Sequence, residues 1–270
     1  MTDTDPHLHV VDSGGEGSPV VLVHGWPLSG ESWQHQLEPL RGAGHRVVTY
    51  DRRGFGRSET GDRYDYDALA DDLARVLVDL ELRDAVLVGF SMGGGEVARY
   101  VARHGEERLR GLVFAAAVPP YLVRGEDNPD GPLTPDQAAE MRSALEKDRD
   151  AFFDDFITRF FSAGGDLLVS EEERQHAIRL CRQADQTAAL ACMDAFGTTD
   201  FRADLDAITL PTLVIHGDAD QIVPLEGSGQ RTHEQVGTSR LHVVPGAPHG
   251  LNVSHAAEFN RVLGDFLAVR

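Results

Sequence analysis

The stretch Ala85-Val-Leu-Val-Gly-Phe-Ser-Met-Gly-Gly-Gly-Glu-Val-Ala98 constrains this chain most, because an apolar strand runs through a tight turn directly into a helix. At the turn, Gly89-Phe90-Ser91-Met92-Gly93 fits Gly-x-Ser-x-Gly, in which a serine on a sharp bend is lifted above the sheet edge with its hydroxyl exposed. Glycine inside a helix costs about 1 kcal/mol against alanine, so Gly93, Gly94 and Gly95 imply a close backbone approach with no room for Cβ. The helix start also carries unpaired N–H groups and a positive dipole end, placed where negative charge develops in acyl transfer to Ser91. Ser91 is the candidate nucleophile, and the Met92 N–H a candidate oxyanion donor.

The surrounding pattern predicts a sheet for this turn to sit in. An edge strand over Leu8 to Asp12, a buried strand over Pro19 to His24, a strand over Arg46 to Tyr50 and another over Leu109 to Ala116 alternate with helical periodicity. The helices are expected over Ser29 to Leu40, with Ser29 as cap, and over Tyr66 to Leu80. Such alternation is that of a mostly parallel, doubly wound α/β sheet. Between Arg46–Tyr50 and the next helix, Asp51-Arg-Arg-Gly-Phe-Gly-Arg-Ser58 reads as a loop held by arginine–carboxylate pairs.

From Val118 to about Asp200 the pattern changes to a polar loop and three or so helical stretches without a strand. We therefore assign 1–118 and 200–270 to an α/β core and 119–199 to a helical cap inserted within this single domain, over the sheet's carboxyl edge where ligands bind. Phe152, Phe153, Phe156, Phe160 and Phe161 form a stripe expected to pack the cap on the core, with the alternative that some of these rings face the substrate. Pro211 to His216 and Arg240 to Val244 return to strand, with helices around Gln230 to Val236 and over Asn252 to Val269.

Partners for Ser91 must come from loops after those strands. His24-Gly-Trp-Pro27 follows the second strand, so the Trp26 N–H is the expected second oxyanion donor; the Trp26 side chain reads equally as a core aromatic. Pro27 fixes its own φ and restricts the backbone of Trp26 beside it. In Gly217-Asp-Ala-Asp-Gln-Ile-Val-Pro224 two acids compete: Asp220 is preferred, with Asp218 as the alternative or as a brace for the loop. Of twelve histidines, His249 stands in a loop between Pro248 and Gly250, whereas His24, His216, His242 and His255 fall in or at the ends of regular elements. The order Ser91, Asp220, His249 is the one such a serine elbow requires, with His249 as base and Asp220 fixing its tautomer.

A formal charge of −19 argues against nucleic acid and anionic membrane as partners. No basic-then-apolar segment opens the chain and no apolar run reaches membrane-spanning length, which points to the cytoplasm. Cys181 and Cys192, if on one helix, stand about 16 Å apart and are expected to be reduced and structural, with no metal site. Two other readings exist. Gly93-Gly-Gly95-Glu-Val-Ala98 fits a dinucleotide fingerprint, but the acid expected about twenty residues on is missing from Ala115-Ala-Ala-Val-Pro119. The other is a non-catalytic ligand-binding protein on the same fold.

Taken together, His24-Gly-Trp-Pro-Leu-Ser29, Asp51–Ser58, Gly89–Tyr100, Ala116-Ala-Val-Pro-Pro120, Thr199-Asp-Phe-Arg202 and His216–Pro224 resemble the α/β-hydrolase superfamily, in its cofactor-free haloperoxidase and aryl esterase branch. The resemblance spans nearly the whole chain without departure in the motif residues. It implies a Ser91–Asp220–His249 triad, Trp26 and Met92 as oxyanion donors, and no cofactor, neither metal nor haem. It also implies hydrolysis of small neutral carboxylic esters, and peracid formation from a carboxylic acid and hydrogen peroxide. The oligomeric state, a homo-oligomer included, stays open.

Overall fold

The computed structural model describes residues 5–269. Met1–Thr4, at the chain start that lacks a basic region, and Arg270 lie outside the described residues. In chain order the strands are β1 (Val10–Asp12), β2 (Pro19–Val23), β3 (Arg46–Tyr50), β4 (Ala85–Phe90), β5 (Leu109–Ala115), β6 (Ser162–Ala163), β7 (Asp166–Leu167), β8 (Thr212–Gly217) and β9 (Ser239–Val244). Seven of them form one sheet in the order β1-β3-β2-β4-β5-β8-β9, parallel throughout except for the antiparallel edge strand β1. Every residue of β4 is buried, because helices cover both faces of a parallel sheet.

The helices are α1 (Gln34–Gly42), α2 (Tyr66–Asp79), α3 (Met92–His104), α4 (Pro135–Lys147), α5 (Arg149–Phe160), α6 (Glu171–Gln183), α7 (Gln186–Thr198), α8 (Arg202–Asp206), α9 (Gly229–Gln235), α10 (Leu251–Ser254) and α11 (Ala256–Leu267). By contact, α1, α10 and α11 pack together, as do α2, α3, α8 and α9, giving the two helical layers of a doubly wound fold. Among the described residues no helix is long and apolar enough to cross a membrane.

Several boundaries differ from the sequence reading. Ser29 caps nothing with its side chain; a short 3₁₀ turn, Gly30–Trp33, precedes α1. The last helix is broken at His255 into α10 and α11. Residues 119–199 hold four helices and also a small hairpin, β6–β7, where no strand was expected; Gly164 and Gly165 turn it with φ of 61° and 93°. Cys181 and Cys192 sit on different helices, since Asp185 starts a new one by accepting from the Ala188 N–H; both thiols are buried and free.

The Asp51–Ser58 loop is held as its charges imply. Arg53 donates from Nε and Nη2 to the Asp72 carboxylate at 2.6 and 2.8 Å, and Arg57 pairs with Glu31. The Asp51 carboxylate accepts from the Gly30 and Arg57 N–H groups at 2.8 and 2.9 Å. Arg52 turns inward to Glu96 on α3.

Candidate active site

Ser91 links β4 to α3 with φ 54° and ψ −119°, a conformation that costs a non-glycine residue on the order of 1–3 kcal/mol. The bend is sharp because its neighbours lack side chains. A Cβ on Gly89 would stand 2.6 Å from the Gly93 carbonyl oxygen, and one on Gly93 would stand 2.5 Å from that of Val23. Helix α3 therefore begins in direct backbone contact with the end of β2, where the Trp26 loop departs.

The structure brings Ser91, His249 and Asp220 together from the ends of β4, β9 and β8. His249 Nε2 lies 2.9 Å from Ser91 Oγ, and His249 Nδ1 lies 2.7 Å from Asp220 Oδ2. Ser91 is 6% exposed, so its hydroxyl opens only to the cavity above it. The His249 ring is wedged between Phe90 and the edge-on ring of Phe160. The other Asp220 oxygen, Oδ1, accepts from the Ile222 and Val223 N–H groups at 2.9 and 2.8 Å. Burial pushes the Asp220 carboxyl up, but the facing charge of His249 and hydrogen bonds from His216 and His249 outweigh it and hold the acid below the usual carboxylate range. Asp218, the alternative acid, is exposed and accepts from the Gly246 N–H at 2.6 Å, bracing the loop.

The backbone N–H groups of Trp26 and Met92 find no acceptor among the described residues. For Met92 this follows from its place in the first turn of α3, where intrahelical partners do not exist. The Trp26 side chain is buried, lines the cavity and donates from its indole nitrogen to the Ala189 carbonyl at 2.9 Å, so it is both a packing residue and part of the site wall.

Above Ser91 lies a cavity of about 770 Å³. Phe152 and Phe156 of the aromatic stripe line it, while Phe160 packs on His249 and a Cβ on Gly250 would touch Phe161. Sequence reasoning missed Phe196, Leu122 and Ile222 on the cavity wall. Phe196 stands alone on α7, outside the stripe, and only its edge-on contact with Trp26 marks it. The polar side chains of Gln137, Glu140, Lys147 and Arg159 also border the cavity.

Residues 18–256 match the family model described as the alpha/beta hydrolase fold. A putative non-heme chloroperoxidase of Synechocystis is 44% identical over 260 residues, covering 94% of this chain and 92% of that protein. The bifunctional esterase/perhydrolase DCH of Acinetobacter calcoaceticus is 39% identical, covering 95% and 94%. Among solved structures, bromoperoxidase from Bacillus anthracis superposes with a TM-score of 0.94 at 49% identity, covering 97% of this chain and 95% of its own. With a parallel sheet, a serine elbow and relatives aligned over almost their full lengths, the chain belongs to the α/β-hydrolase family, among enzymes of the non-haem haloperoxidase and esterase kind.

Proposed function

We propose that the protein is a serine hydrolase of small neutral carboxylic esters, working through an acyl-enzyme on Ser91. The observation that carries this reading is the continuous Ser91–His249–Asp220 hydrogen-bonded line, closed at its far end by a buried carboxylate. His249 Nε2 takes the Ser91 proton as Oγ attacks the acyl carbon, then returns it to the leaving alkoxide. Asp220 keeps the His249 proton on Nδ1 and stabilises the imidazolium. The tetrahedral oxyanion is received by the Trp26 and Met92 N–H groups.

Water then releases the acid, or hydrogen peroxide releases a peracid, with the Ser91 hydroxyl restored in either case. Peroxide as the second nucleophile is supported by the likeness to the Acinetobacter relative, which is named as a bifunctional esterase/perhydrolase. Residues 119–199 act in this reading as a cap that sets the acyl preference through Phe152, Phe156 and Phe196. The cytoplasm remains the compartment we assign.

A fluorophosphonate probe tests the reading. Labelling of the native protein, abolished in Ser91→Ala together with p-nitrophenyl acetate turnover, is expected. An unlabelled native protein, or labelling and turnover retained by Ser91→Ala, sinks it. Repeating the assay with hydrogen peroxide and a peracid-trapping dye tests the second nucleophile separately.

A further inference from the structure

We propose that the buried pair Arg52–Glu96 is a positioning device that fixes the two oxyanion donors, the Trp26 and Met92 N–H groups, relative to each other; this rests on the hydrolase reading above.

The two donors belong to separate pieces of chain. Met92 opens α3, whereas Trp26 sits in the loop after β2. Glu96 lies on α3 just over one turn beyond Met92, which ties it rigidly to that donor. Arg52 reaches it from the Asp51–Ser58 loop, donating from Nε at 2.5 Å and also pairing through Nη2. The same Nη2 donates at 2.6 Å to the His24 carbonyl, two residues before Trp26. A single guanidinium thus spans from the helix carrying one donor to the loop carrying the other.

Two further bonds stiffen the loop end. The Arg52 backbone N–H donates to His24 Nε2 at 2.9 Å, so the ring proton is on Nδ1, which donates to the Gly25 carbonyl at 2.8 Å. Burial, with the nearby charge of Arg52, holds the His24 imidazole well below its ordinary value, and the neutral ring can both accept and donate. On the helix side, Tyr50 donates its hydroxyl to Glu96 at 2.8 Å, and Tyr66 donates to the Met92 carbonyl at 3.1 Å. Arg52 and Glu96 side chains are each 1% exposed. Replacing a buried ion pair with apolar residues is often neutral for stability. Stability alone therefore gives little reason for the pair, while holding two donors that must converge on one oxygen does.

The double variant Arg52→Met/Glu96→Met leaves no lone buried charge and is compared with Arg52→Lys and Glu96→Gln. The expected result is a folded double variant, still labelled at Ser91 by fluorophosphonate, with kcat lowered about 10- to 100-fold and KM within about threefold. Affinity for phenylboronic acid, whose tetrahedral adduct places an oxygen between the donors, should fall in proportion to kcat. Arg52→Lys should recover part of both. Should the double variant unfold, Glu96→Gln and Arg52→Lys carry the same test, and equal losses in kcat and boronate affinity are again expected. A folded variant with wild-type kcat and boronate affinity, or one that loses KM alone, overturns the proposal. Failure of the native protein to label or to turn over ester would instead overturn the hydrolase reading itself.

Discussion

Asp220→Asn is the substitution whose outcome the geometry specifies most closely. Asp220 Oδ1 accepts from two backbone N–H groups, at 2.9 and 2.8 Å, and only an oxygen can do so. In the variant the amide carbonyl must keep that place, which puts the NH₂ group at the former Oδ2 position, 2.7 Å from His249 Nδ1. An amide nitrogen there donates, so Nδ1 becomes the acceptor and the ring proton moves to Nε2. Nε2 is the atom 2.9 Å from Ser91 Oγ, and once protonated it cannot take the serine proton. The variant has the right shape and the wrong tautomer. A loss of about 10³- to 10⁴-fold in kcat is expected, roughly 4–5.5 kcal/mol of barrier. Initial rates on p-nitrophenyl acetate, with urea unfolding run in parallel, measure it. A folded variant that loses less than tenfold would refute the assigned tautomer and with it the role of Asp220.

The other expectations concern stability, shape and reactivity. Gly93→Ala puts a Cβ 2.5 Å from the Val23 oxygen and 3.0 Å from that of His24, both backbone atoms that cannot swing away; a loss of about 1–3 kcal/mol in urea unfolding and a lower kcat should follow. Phe196 also borders a second void of about 120 Å³ behind it, so Phe196→Ala should move the optimum of an ester chain-length panel to longer acyl groups, and an unmoved optimum counts against the wall assignment. Because the fold lowers the Asp220 carboxyl, its contribution to stability is complete above the unfolded-chain value near ~3.9 and is lost as pH falls through the lower folded value. The urea midpoint should therefore drop below about pH 4, and drop less steeply in Asp220→Ala. Burial pushes the Cys192 thiol up to about 12 and raises that of Cys181, so neither should react with iodoacetamide at pH 8 until the chain unfolds.

What could be read in advance was whatever local pattern decides. Glycine spacing around Ser91 and a strand-terminal loop holding His249 are local facts, and they led to the three side chains that meet. Asp220 over Asp218 was a preference in the sequence; the structure separates them by burial, one carboxylate facing His249 and the other facing solvent beside Gly246. The hairpin after α5 was missed because two residues per strand carry no periodicity, and the turn glycines Gly164 and Gly165 were the only sign. The break between α6 and α7 hides in a run of good helix formers and depends on Asp185 as a cap. Contacts such as Phe196 with Trp26, or Arg52 with Glu96, join positions far apart in the chain, and no period within one element predicts them.

The serine and the imidazole are 158 residues apart, each just beyond a strand, β4 and β9, that two others separate in the sheet. No fragment ending before β9 can assemble the pair. On the proposed hydrolase reading a nascent or half-folded chain thus carries an inert hydroxyl, and ester turnover would report on completion of the last strand–loop–helix unit.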